Sequence, residues 1–432
     1  MKVLDYKIQD PLGLHARPAA RIAAVCTELK SIVTIEYNGE FADGSHVLQI
    51  LKLHAPKGAV IQIKIDGPDE DIAYEKICAV FEDTAPKVKK AEVLKIAFFG
   101  TKSYDRIFFS ELSKDRGAGA YNVDIKYLSV RLTAETADLA KGYDAVCIFV
   151  NDDGSRRVIE ALHGCGVKLI LLRCAGFNNV DMQAAKEYGI TVLRVPAYSP
   201  YAVAEHAMAI IQAANRHIHK AYNKVKDNNF ALTGLLGFDL HNKVAGIMGT
   251  GRIGVCMARI CKGYGMTVLG WDAYPNKALE EEGLLTYVSK EELLKRSDLI
   301  SLHTPLIMGE GGTYHLINAD TIAMMKDDVM LVNTSRGALI DVEALIEGLR
   351  NSKFHAVALD VYEGEDENVY TDHSEDMLST DVVARLTMFP NLVLTSHQAF
   401  FTSEALQAIA AVTMENARNF NECLPFGQAE VK

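Results

Sequence analysis

Hydrophobic patterning divides this chain into two regions. Up to about residue 90, short β-rich segments ("KVLDYKI", "IVTIEYN", "AVIQIKID") alternate with helix-period stretches over 18–29 and 72–81. Between them "HVLQILKL" fits a short helix or a strand, because an apolar run that short satisfies either period. The predicted order, β-α-β-β-α-β-α, suits a small α+β open-faced sandwich with helices on one face. "EDTAPKVKKAEVLKI" is a charged crossing with one proline rather than a Gly/Ser linker. From "LKIAFFG" at 94–100 the texture changes to near-continuous apolar runs: "DAVCIFV", "KLILLR", "VAGIMG", "MTVLGW", "LISLH", "VMLVN", "AVALDV" and "LVLTS". Runs of this kind, separated by helical stretches, are what strands buried on both faces require. They predict parallel sheets in doubly wound α/β domains.

At 432 residues, two or three compact units are expected. A hydrophobic share of 49% provides for a large core, and a net charge of −11 argues against nucleic acid or an anionic membrane as the main partner. The opening "MKVLDYKIQD" has no basic segment followed by an apolar one, and no apolar run approaches twenty residues, so neither a signal peptide nor a membrane insertion is expected. The 8 cysteines (26, 78, 147, 165, 174, 256, 261 and 423) form no C-x-x-C pair. Their scatter speaks against a metal site or a disulfide framework and for reduced thiols in a cytoplasmic protein.

The first chemical signal is "VAGIMGTGRIG", a strand running into Gly249-Thr250-Gly251-Arg252-Ile253-Gly254. In a G-x-G-x-x-G the first glycine makes a tight turn, the second lets backbone approach a pyrophosphate, and the third packs helix on strand. The helix N-terminus then offers N–H donors to the phosphates. Glycines also mark ordinary strand–turn–helix junctions. Here, however, a second strand, "MTVLGWD", ends in Asp272 about twenty residues on, where an acid receives the adenosine ribose hydroxyls. A carboxylate there repels the extra phosphate of NADP and favours NAD.

Three charged groups follow later strand patterns: Arg336 in "VNTSRGALID", Glu365 in "LDVYEGE" and His397 in "LTSHQAF". Taken singly they could be a carbonyl cap, one carboxylate of an acidic loop and a structural histidine. Together, at the carboxyl ends of strands where ligands collect, they supply what reduction of a 2-keto acid needs. A guanidinium fork binds and polarises a carboxylate. An imidazole protonates the carbonyl oxygen as hydride arrives, and a carboxylate orients that imidazole and favours its charged form.

The stretches "DAVCIFVNDDGS", "LRCAGFNNVD", "VPAYSPYAVAEHA", "NTSRGALID", "DVYE" and "HQAF" make residues 94 to about 430 resemble the D-isomer-specific 2-hydroxyacid dehydrogenases, above all the fermentative D-lactate dehydrogenases of bacteria. The resemblance implies NAD-dependent reduction of pyruvate to D-lactate, with Arg336, Glu365 (the second acid of "YEGE", not Glu363) and His397 as catalytic residues. It implies that Ala175 and Gly176 receive the substrate carboxylate with Arg336, and that Tyr198 and Phe400 line the pocket. Gly249, Gly251, Arg252, Ile253, Gly254, Asp272, His303, Thr304, Pro305, Thr334, Ser335 and Asp360 would contact NAD. It further implies a Rossmann NAD domain (199–396) inserted in a flavodoxin-like substrate domain (94–198 with 397–432), closure about the two crossings, and a homo-oligomer. "LIMGEGGTYHL" after Pro305 is a few residues longer than in that family, which bears on Thr313.

The first ninety residues need a separate account. In "GLHARPAA", His15 precedes a helix, Arg17 lies nearby, and Pro18 sits in the first turn, where its missing N–H costs little. A polar helix cap is the plain alternative. A phosphoryl group on His15, however, would meet free N–H groups and a guanidinium. This segment, with "IEYNGEFADGSHVLQILKL" and "KGAVIQIKIDGPDED", resembles the histidine-containing phosphocarrier HPr of the sugar phosphotransferase system. The resemblance implies phosphorylation of His15, supported by Arg17, with enzyme I and sugar-specific enzyme II components as partners. Where the family's regulatory serine begins the second helix this chain has His46, with Ser45 one place earlier. A non-phosphorylated docking or regulatory module is the rival reading of the front segment. A nucleotide-sensing regulator is the rival for the rest, and the Arg/Glu/His set argues against it.

Overall fold

The computed structural model describes residues 2–8, 13–14, 16–27, 29–82, 93–114, 121–365, 369–370, 372–375 and 381–431. The chain divides into two units, residues 1–92 and 93–432.

The first unit runs β1 (Lys2–Lys7), α1 (Ala16–Thr27), β2 (Ile32–Tyr37), β3 (Glu40–Asp43), α2 (Val47–Lys52), β4 (Val60–Asp66) and α3 (Glu70–Glu82). Its sheet is antiparallel throughout, in the order β1-β4-β2-β3. Alternation decides which face is covered. Ile61, Ile63 and Ile65 of β4 are fully buried among Ile22, Ile35, Ile50 and Ile77, while Lys64 on the other face pairs with Glu36 at 2.7 Å. The ambiguous "HVLQILKL" is the helix α2, which buries Ile50. His46 sits at its N-cap position but makes no capping bond. Its Nδ1 instead lies 2.9 Å from Ser45 Oγ and 3.2 Å from Asp43 Oδ2. His15 lies outside the described residues, as does the side chain of Arg17.

The second unit holds two parallel sheets. Strands β5 (Leu94–Phe98), β6 (Val123–Tyr127), β7 (Ala145–Ile148), β8 (Leu169–Leu172) and β9 (Thr191–Arg194) pair in the order β6-β5-β7-β8-β9. The long helix Ser403–Asn421 returns to this sheet. Its Ala410, Met414 and Ala417 pack with Phe98, Leu169 and Leu193.

Between these parts lie β10 (Val244–Met248), β11 (Thr267–Trp271), β12 (Thr286–Tyr287), β13 (Leu299–Leu302), β14 (Val329–Asn333), β15 (Phe354–Leu359) and β16 (Leu392–Leu394). Their order is β12-β11-β10-β13-β14-β15-β16. The fold is therefore α/β: a seven-stranded Rossmann layer inserted in a five-stranded flavodoxin-like one, preceded by an α+β open-faced sandwich. In each parallel sheet the winding reverses beside the first strand, at β5/β7 and at β10/β13, where crevices open at the carboxyl ends. Among the described residues no helix is long and apolar enough to cross a membrane.

Candidate active site

Each of the three charged side chains emerges just past a strand of the seven-stranded sheet. Asn333, the buried last residue of β14, folds the next turn. Its Nδ2 donates to Arg336 O at 2.8 Å and its Oδ1 accepts from Ser335 N at 3.0 Å. Arg336 then reaches toward the loop after β8, with Nη1 donating to Ser335 O at 2.8 Å. A Cβ on Gly176 would lie 2.7 Å from Arg336 Nη2, so the fork as placed sits against a bare glycine. Arg194 steadies the same loop, its Nη1 donating to Ala175 O at 3.0 Å.

His397 follows β16 in a left-handed conformation, φ +49°. Its backbone N donates to Asp360 O at 2.8 Å, and its Nδ1 lies 2.8 Å from Glu365 Oε1. Glu365 Oε2 in turn accepts from Tyr362 N at 3.3 Å. Asp360, only 1% exposed, braces this turn. Its carboxylate accepts from Thr395 Oγ1 at 2.5 Å, Gln398 N at 2.9 Å and Ala399 N at 2.8 Å, with His206 Nε2 at 3.2 Å. Burial alone would push this carboxyl up, but bonds from His206, Thr395, Gln398 and Ala399 outweigh it and hold the group below the usual carboxylate range.

His397 and Arg336 open onto one cavity of about 180 Å³, lined also by Ala175, Gly176, Tyr198, Phe400, Ile253, His303, Thr334 and Ser335. Burial pushes the Tyr198 phenol up to about 12, so it stays a hydroxyl across the physiological range. Glu365 stands behind His397, away from the cavity wall.

The glycine loop divides its labour. Gly249 has φ +92°, and a Cβ there would be 2.6 Å from the His303 carbonyl carbon. On Gly254 a Cβ would meet Gly249 O at 1.9 Å, whereas on Gly251 it would meet nothing within 4 Å. The first and third glycines thus lock strand to helix, and the second faces open space at the N-cap of helix Arg252–Gly263. Asp272 closes the loop from β11, its Oδ2 accepting from Thr250 N at 2.6 Å. The hydroxyls of Thr304 and Thr334 are buried without a hydrogen-bond partner among the described residues, and Ser335 Oγ donates to Thr304 O at 2.7 Å. Desolvation pushes the His303 imidazole down to about 4, leaving it neutral with Ser301 Oγ 2.8 Å from its Nε2. An open backbone cradle and two unsatisfied hydroxyls fit a dinucleotide. Pro305 begins a loop closed by Thr313, whose Oγ1 donates to Pro305 O at 2.5 Å and accepts from Ile307 N at 2.8 Å. Among the described residues no cluster of His, Cys, Asp and Glu could hold a metal ion.

Among the cavity residues that the pattern reading missed are Phe149, Tyr370 and Arg173. Arg173, 4% exposed, lies between the rings of Phe98 and Phe149 at 4.6 and 4.9 Å, donates to Gly100 O at 3.2 Å and stands 3.5 Å from Asp105. A charge closing the apolar run "KLILLR" was its only sequence signal. Tyr370 had none, since it falls in an irregular polar stretch.

With this geometry in place, comparison with known proteins defines the class. Residues 208–399 match the D-isomer specific 2-hydroxyacid dehydrogenase NAD binding domain, and residues 4–83 match the PTS HPr component phosphorylation site. The D-lactate dehydrogenase of Escherichia coli (strain K12) is 48% identical over 76% of this chain and 97% of its own. Among solved structures, the pyruvate reductase of Chlamydomonas reinhardtii matches with a TM-score of 0.73 and 41% identity, over 78% of this chain and 99% of that one. A D-lactate dehydrogenase with NAD⁺ from Lactobacillus jensenii matches with a TM-score of 0.65 and 30% identity, over the same shares. The chain belongs to the D-isomer-specific 2-hydroxyacid dehydrogenase family. It binds NAD through the seven-stranded layer and carries an HPr domain in front.

Proposed function

We propose that the protein is a cytoplasmic D-lactate dehydrogenase that reduces pyruvate, fused to a phosphocarrier. The observation that carries the first part is the convergence of Arg336 and of His397, backed by Glu365, on one cavity beside the glycine loop. Arg336 pairs with the substrate carboxylate, helped by backbone at Ala175 and Gly176, and so fixes which face of the carbonyl is presented. The loop Gly249–Gly254, Asp272 and the stretches at 303–305 and 334–335 would hold NADH, which would supply the hydride for C2. His397 gives a proton to the carbonyl oxygen, which becomes the hydroxyl, and takes it back in the reverse reaction. Glu365 keeps the imidazole pointed at that oxygen. Phe149, Tyr198 and Phe400 exclude water and leave room for a methyl group. The reading of D-lactate is supported by relatives of that name.

By this reading residues 94–198 and 397–432 form the substrate domain and 199–396 the NAD domain. Ile218, Tyr222, Phe230, Leu232 and Leu236 are exposed apolar residues close in sequence, which supports a homo-oligomer with a second copy covering them. In front, residues 1–90 carry phosphate on His15, with Arg17 as its partner, between enzyme I and enzyme II components of the phosphotransferase system. The match of residues 4–83 supports this. The dehydrogenase is tested by incubating the full chain with pyruvate and NADH and resolving the product on a chiral column. D-lactate is expected, made by wild type and lost in His397→Ala by about two to four orders of magnitude. L-lactate, or no NADH oxidation with any small 2-keto acid, would refute it.

A further inference from the structure

Resting on that reading of the cavity, we propose that Tyr370 is a positioning residue for His397 and that its ring sets how long a substrate side chain the cavity admits. Two independent contacts meet in this residue. Its hydroxyl donates to the backbone carbonyl of His397 at 2.8 Å. His397 thus has its N–H on Asp360, its imidazole on Glu365 and its carbonyl on Tyr370. A left-handed, non-glycine residue that must aim its ring needs such fixing from every side, because each contact opposes relaxation to an ordinary backbone conformation.

The ring of Tyr370 also lines the cavity. Its centroid lies 5.5 Å from that of Phe149, 6.4 Å from Phe400 in an edge-on arrangement, and 6.2 Å from His397. It therefore joins the two aromatic walls to the imidazole and closes the gap into which a longer side chain would extend. The backbone is held independently of the ring: Lys102 Nζ donates to Tyr370 O at 3.3 Å and Arg131 Nη2 to Val369 O at 3.2 Å. Both donors belong to the five-stranded layer, so the residue spans from the catalytic turn of one layer to the body of the other. Removing the hydroxyl should leave this backbone in place.

The test compares wild type, Tyr370→Phe and Tyr370→Leu in the full chain, with thermal melting and NADH titration as controls for folding. Tyr370→Phe keeps the wall and loses the bond. It should lower kcat for pyruvate by about three- to tenfold while KM stays within about twofold, a split that a loosened fold would not give. Tyr370→Leu opens the wall. The ratio of kcat/KM for 2-oxohexanoate over pyruvate should rise by about tenfold or more, the scale of a few methylenes in an apolar pocket, whereas Tyr370→Phe should leave that ratio as it is. An unchanged kcat in Tyr370→Phe would overturn the positioning role, and an unchanged ratio in Tyr370→Leu would overturn the wall. A wild type that reduces no 2-keto acid would overturn the reading of the cavity and this inference with it, whereas an active wild type with indifferent variants would overturn this inference alone.

Discussion

A methyl group on Gly176 would lie 2.7 Å from Nη2 of Arg336, so the loop after β8 and the guanidinium are placed against one another. Gly176→Ala must displace one of them. The expected result is a rise of about tenfold or more in KM for the 2-keto acid, because the fork loses its alignment with the carboxylate. NADH affinity, read by fluorescence titration, should stay as in wild type. A normal KM would mean that Arg336 can move aside without penalty.

In the proposed mechanism Glu365 would act through His397, whose Nδ1 lies 2.8 Å from its Oε1. Glu365→Gln keeps the shape and replaces the carboxylate that faces the His397 ring. Single-turnover reduction should slow by about ten- to a hundredfold, with pyruvate affinity little changed. Glu363 is the natural control, since it bonds instead to His315, at 3.0 Å, and Glu363→Gln should keep most activity.

The braced carboxylate of Asp360 ties stability to acid pH. Its folded-state pKa is depressed, so its contribution is present above the unfolded value of about 4 and fades as pH falls through the folded one. Asp360→Asn should therefore lower the Tm at pH 7, and the gap from wild type should narrow below about pH 4. A gap independent of pH would show that shape, not charge, holds the turn.

Asp272 accepts from the glycine loop while standing where the adenosine ribose is expected. Asp272→Ala should reduce the preference for NADH over NADPH, measured as a ratio of kcat/KM, by about tenfold. An unchanged ratio would place the discriminating residue elsewhere.

The front domain is checked chemically. Wild type and His15→Ala, incubated with the general phosphotransferase enzyme and labelled phosphoenolpyruvate, should differ completely in acid-labile, base-stable phosphate. Equal labelling would move the phosphate to another residue, and an unlabelled wild type would leave a docking module.

Interior strands were legible because burial on both faces imposes an apolar run. Strands β5, β7, β8, β10, β11 and β13–β16 all coincide with such runs. The strands without one, β6, β9 and β12, are sheet edges, whereas β16 is an edge that still carries an apolar run. In β6 "VDIKY" alternates with solvent, and in β12 "TY" is too short to carry a pattern. Arg336 and His397 stood out as polar groups after buried strands, whereas the choice of Glu365 over Glu363 rested on the family resemblance. The bracing of the His397 turn by Asp360 and His206 was not legible, since His206 lies 154 positions before Asp360 and 191 before His397 in a chain that gives no pairwise signal; only the folded sheet brings helix Pro200–Asn215 beside β15. "HVLQILKL" became a helix because its register places Ile50 in the core of a sheet that already had its four strands.

The left-handed backbone of His397 carries an evolutionary consequence. A side chain in that conformation costs roughly 1 kcal/mol relative to glycine, a cost maintained only while the imidazole is useful. If selection for turnover were relaxed, drift at position 397 should run toward glycine or asparagine, which occupy that conformation more cheaply. Descendants that had lost the reaction would then be more heat-resistant than their working ancestor. The identity of residue 397 would serve as a marker of whether the lineage still lives by this chemistry.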